Sequence, residues 1–164
     1  MFVAGGGLLA VAGLAATMAI GPAAFAQTAP TTPNAVVAST ITLTGDADFT
    51  LAGAPGDTTA TTSALNAESN NEGGYNVTVL ADVENLAPAD PVANTDVIPV
   101  SSLEVLNTSA AYTGLSTTVP VTVHTQAARS AENGDALTAS YQLTMPIVNA
   151  DTYSGGLTFT ATAN

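Results

Sequence analysis

The chain has 164 residues, 13 of them acidic, with a single arginine, no lysine and no cysteine, for a net charge of −12. So acidic a surface repels phosphate backbones, which excludes nucleic-acid binding and argues against docking on anionic lipid or phosphate-rich polymers without bridging divalent cations. Thiolate metal sites and disulfides are excluded, so a packed core alone must hold the fold.

Residues 1–26 carry no charge. An apolar run from Leu8 to Ile20 is followed by Gly21-Pro22 and then Ala24-Phe25-Ala26. This is the apolar region and small-x-small cleavage site of a secretory signal helix, with cleavage between Ala26 and Gln27. The usual basic start is missing from Met1 to Gly7, which would place it upstream of Met1. An uncleaved membrane anchor is the rival reading, because a spanning helix needs roughly 20 apolar residues. Cleavage is favoured because the Ala-x-Ala site falls directly before a polar Thr/Pro stretch. That stretch, residues 27–35, reads as a flexible arm. The third region, residues 36–164, reads as the folded domain.

From there the pattern is period-two alternation broken by turn clusters. Val36 to Leu43 predicts a first strand, with Val37, Ile41 and Leu43 on one face. Phe49 and Leu51 follow the turn Gly45-Asp46, and 53–57 is a loop. Thr58 to Leu65 predicts a weak strand. The turn 69–74 launches the clearest strand, which sets Tyr75, Val77, Val79, Ala81 and Val83 on one face. Leu86 to Asp96 reads as a long loop and Ile98 to Leu106 as a strand. Val119, Val121 and Val123 alternate with Thr122 and His124, which points His124 outward. After the turn 132–135, Leu137, Ala139, Tyr141, Leu143 and Met145 form an apolar face. Leu157, Phe159, Ala161 and Ala163 form the last one. No later segment has a helical period. The fold class is therefore all-β, an antiparallel β-sandwich of seven or eight strands with Ig-like or jelly-roll topology, behind an apolar N-terminal signal helix.

Catalytic chemistry is thin. His124 is the only histidine, and although Ser130 and Asp135 lie near it in sequence, nothing resembles a nucleophile elbow. The chain reads as no enzyme. Asp46 and Asp48, with Asp57 across a loop, are the candidate calcium ligands, but Phe49 and Thr50 break the pattern of a known calcium loop. No other cofactor is expected. Arg129 is placed to pair with Glu132 or Asp135. Tyr75 and Tyr141 fall on core faces, whereas Tyr112 and Tyr153 lie near loops and are the candidate surface contacts.

Gly74-Tyr75-Asn76-Val77 and the segment Tyr153-Ser154-Gly155-Gly156-Leu157-Thr158-Phe159-Thr160-Ala161 resemble the two signature strands of the WxL surface domains of Gram-positive bacteria. Here Tyr or Phe stands for the family's Trp, and a smaller apolar residue for its Leu. The resemblance implies a secreted β-sandwich held non-covalently at the cell wall, with a wall component or other surface proteins as partners. A broader likeness connects the chain to secreted β-sandwich filament subunits of the TasA and camelysin kind. In those the N-terminal segment, here Thr31 to Leu43, completes a neighbour's sheet, so the partner would be a second copy. The Ala/Thr/Gly bias suggests a bacterial source, and with the WxL resemblance the expected organism is Gram-positive and actinobacterial. A secreted hydrolase is the third reading. In all of them the protein is extracellular, and it meets a membrane only through residues 1–26 if these stay uncleaved.

Overall fold

The computed structural model describes residues 30–45 and 48–164. The signal segment, with Ala26 and Gln27, lies outside them, as does Asp46. Residues 37–164 form one compact unit. Among the described residues no helix is long and apolar enough to cross a membrane.

The chain is all-β with antiparallel sheets. Its strands are β1 (Ile41–Gly45), β2 (Thr58–Ser69), β3 (Tyr75–Ala81), β4 (Asn85–Pro88), β5 (Ile98–Pro99), β6 (Leu103–Leu106), β7 (Tyr112–Gly114), β8 (Val121–Gln126), β9 (Asp135–Thr144), β10 (Tyr153–Ser154) and β11 (Leu157–Ala163). A five-stranded sheet has the order β1-β2-β9-β6-β7. A three-stranded sheet has the order β11-β3-β8, and a small one joins β10, β4 and β5. The excess over the expected seven or eight strands lies in β4, β5, β7 and β10, none longer than four residues.

The alternation read from the sequence sets the faces. Tyr75, Val77, Val79 and Ala81 of β3 are buried, as are Ala139, Tyr141 and Leu143 of β9. Val79, Ala81 and the three β9 residues share one buried cluster with Val105, Leu115, Val121, Leu86 and Ile98, and Tyr75 and Val77 form a second with Ala67. That packing gives a β-sandwich-like body. Each fully buried aliphatic side chain among them, such as Leu115 or Val79, contributes about 1.5–3 kcal/mol. Phe49 belongs to this core too: its ring stacks on Tyr141 with centroids 4.4 Å apart. It does so from an irregular segment that forms no strand.

Elsewhere the expectations shift. The first strand begins at Ile41, and residues 30–40 are exposed and form no strand. The second is twelve residues long, because its register with β9 continues unbroken from Thr58↔Thr144 to Ala67↔Asp135. The expected strand from Ile98 to Leu106 is split by a 3₁₀ turn at Val100–Ser102, which moves the chain from the small sheet to the large one. Residues 85–88, read as loop, pair with β5 and β10. Val83 lies beyond β3 and is exposed.

The largest difference concerns His124. A bulge between Val77 and Thr78 breaks the register of β3 with β8, so that Val77 faces His124 while Thr78 faces Thr122. The extra residue, Val123, turns His124 to the side of buried Val77 instead of outward. Its ring lies 5.7 Å from that of Tyr75.

Candidate functional site

The polar side chains converge in three places. At the first, the turn after Ser130 brings Asp135 over the buried ring of Tyr75. The Tyr75 hydroxyl donates to Asp135 Oδ2 at 2.7 Å, and the Ala131 N–H donates to Oδ1 at 3.1 Å. These bonds, the Ala131 amide first, hold the Asp135 carboxyl below the usual range, with His124 adding a small attraction. Burial, and then the carboxylate it bonds, push the Tyr75 phenol well above its ordinary value. His124 Nε2 is sealed from solvent, and among the described residues it has no hydrogen-bond partner. Asp135, offered by the sequence as a partner for Arg129, is thus committed to Tyr75 and Ala131.

Beside this corner lies an open depression of about 430 Å³, lined by Thr40, Glu68, Asn70, Arg129, Ser130 and Glu132 among others. Its walls are tied to the sheet. Ser130 Oγ accepts from the Ser69 N–H at 2.9 Å, and the Asn70 side chain bonds the backbone of Ala38 and Thr40. Arg129 lines it together with Glu68 and Glu132, so the depression presents both signs of charge. Ser130, the serine that the sequence offers near His124, is bonded to the Ser69 backbone.

At the third place, Asn94 joins two loops. Its Nδ2 donates to Asp151 Oδ2 at 3.0 Å and to the Tyr153 hydroxyl at 2.9 Å. Tyr153 donates in turn to the Asn149 carbonyl, and the Asn149 N–H donates to Asp96. The Asn94 amide, followed by the Thr152 N–H, lowers the Asp151 pKa. Asn94 was not singled out in the sequence. Only the spacing of Asn and Asp through 89–97 and 149–151 hinted at such ties.

Asp48 is exposed, and Asp57 accepts from the Ala54 N–H at 2.9 Å to close its own turn. Among the described residues no group of three or more acidic or histidine side chains is placed to hold a metal ion. Tyr153 is half-buried, packs against the core and spends its hydroxyl on Asn94 and Asn149. Tyr112, 37% exposed on edge strand β7, is the more open of the two tyrosines. Compared with models of known protein families and with curated proteins, the sequence matches none.

Proposed function

We propose that this is an exported, non-catalytic structural or binding protein of the cell envelope, built as a β-sandwich of Ig-like or jelly-roll type. The observation that carries this reading is the use made of its polar chemistry. Asp135, Asn94, Asp151, Tyr153 and Ser130 hold the chain's own loops and strand ends together. The export signal ending at Ala26 supports delivery outside the cytoplasm. The WxL-like reading draws support from Tyr75, which stands where that family has Trp and fills a fully buried position. Tyr112 is then the aromatic available for a surface contact. The test is co-sedimentation of residues 27–164 with cell walls of the source organism, with and without calcium. Saturable pelleting supports wall association, calcium dependence revives Asp46, Asp48 and Asp57 as ligands, and a protein left in the supernatant defeats wall anchoring.

A second reading, a self-assembling matrix subunit, is favoured by the arm. Residues 30–40 carry no charge, and Val36 and Val37 are 95% and 81% exposed. Polymers that disappear when 30–39 are removed, with β1 kept, would support it.

A further inference from the structure

Asn133 and Gly134 lie in the tight turn that leads into β9. The Gly134 N–H donates to the Ala131 carbonyl at 3.0 Å, and the Gly134 φ is +79°. A Cβ at Gly134 would lie 2.0 Å from Asn66 Oδ1, in a backbone conformation that already favours glycine. Asn66 also touches the peptide unit that joins the two turn residues. Its Nδ2 donates to the Asn133 carbonyl at 3.2 Å. Asn66 is itself set in β2, opposite Ala136 of β9.

Asn34, Asn85 and Asn133 are exposed, and among the described residues no hydrogen bond holds their side chains. Asn34 precedes Ala35 and Asn85 precedes Leu86, so Asn133 is the one followed by glycine. A glycine has no Cβ to keep its nitrogen away from the carbonyl carbon of the preceding side chain.

We propose that Asn133 is a site at which the protein modifies itself, assisted by Asn66. The Gly134 nitrogen attacks Asn133 Cγ, and the new C–N bond closes a succinimide ring. The proton lost from that nitrogen reaches the side-chain amide through water, and the amide nitrogen leaves as ammonia. Water then opens the ring at either carbonyl, giving aspartate or isoaspartate. Only water is consumed. When the Gly134 nitrogen gives up its proton, charge spreads onto the Asn133 carbonyl oxygen, where the Asn66 amide already donates. The bond to Ala131 opens first, through the local openings that exposed turns undergo. Isoaspartate adds one backbone atom inside the stretch that the Ala131 N–H and Asp135 Oδ1 tie together. It therefore loosens the corner where Tyr75 meets Asp135. The inference is independent of where the protein is delivered.

The test is incubation of the purified protein at mildly alkaline pH, followed by ion-exchange chromatography and peptide mapping by mass spectrometry. A form with one extra negative charge is expected, formed faster as pH rises, with the change confined to the peptide that carries Asn133. Asn133→Ala should abolish it. Asn66→Ala, a change at an exposed position, should slow it about tenfold in the folded protein, the rate equivalent of one hydrogen bond to a developing charge. In urea, where the turn is lost, the two proteins should convert at the same rate. The isoaspartate form, once separated, should melt below the parent. A folded protein that stays unmodified while its urea-unfolded chain converts would overturn the proposal. So would conversion at Asn34 or Asn85 instead, or an Asn66→Ala protein that converts at the parent rate when folded.

Discussion

The Tyr75 hydroxyl donates to the Asp135 carboxylate at 2.7 Å, joining the most deeply buried aromatic of β3 to the first residue of β9. The two lie 60 positions apart, and the bond fixes the corner at which the facing sheets meet. A hydrogen bond to a charged group contributes about 1.5–3 kcal/mol. Tyr75→Phe keeps the ring in its core position and removes only this bond. Urea unfolding should show a loss of about that size, with the m-value unchanged.

The same corner makes stability depend on acid. The Ala131 amide and the Tyr75 hydroxyl depress the folded-state pKa of Asp135 below its ordinary 3.8. The stability it contributes is fully present above that unfolded value and is lost as pH falls through the lower folded value. Melting temperatures measured from about pH 7 to about pH 2 should fall at the acid end, and Asp135→Asn should flatten that limb.

Gly74 turns the chain into β3 with φ +83°, and a Cβ placed there would lie 1.9 Å from the Gln126 carbonyl oxygen. Backbone blocks it, not a flexible side chain. Gly74→Ala should therefore cost about 3 kcal/mol or more, against the about 1 kcal/mol typical of a point change. A thermal melt reads the difference directly, with Gly56→Ala as a comparison, since φ is also positive there but space is open.

Asn94 spans the loops that carry Asp151 and Tyr153. Replacing it with alanine removes the two bonds it donates to them and the two that its Oδ1 accepts, from the Asp96 N–H and the Asn149 amide, while the Tyr153 hydroxyl keeps the Asn149 carbonyl. The expected loss is about 1–3 kcal/mol. Hydrogen exchange should quicken in residues 89–97 and 146–152 while β3 and β9 stay protected.

Much of this fold was legible because strand faces are a local property. Side chains alternate with period two, so Tyr75–Ala81 and Asp135–Thr144 announce their buried faces without reference to partners. The candidate site was less legible. Tyr153 looked like a loop contact because nothing nearby in sequence reveals Asn94, 59 positions away, to which it is bonded. His124 looked solvent-facing because a bulge is a property of a pair of strands, and one extra residue on β8 reverses every later side chain.

The sequence by itself determined the all-β class, the acidic cysteine-free surface and the inward identity of the core strands, since composition and alternation act residue by residue. Only the tertiary structure decided which strands pair, where the Val77/Thr78 bulge falls, that Phe49 enters the core without a strand, and that β1 pairs only along Leu65–Ser69 of β2. Those features depend on contacts between distant segments, whose free energy comes from burial and hydrogen bonds that no local stretch of chain can make alone.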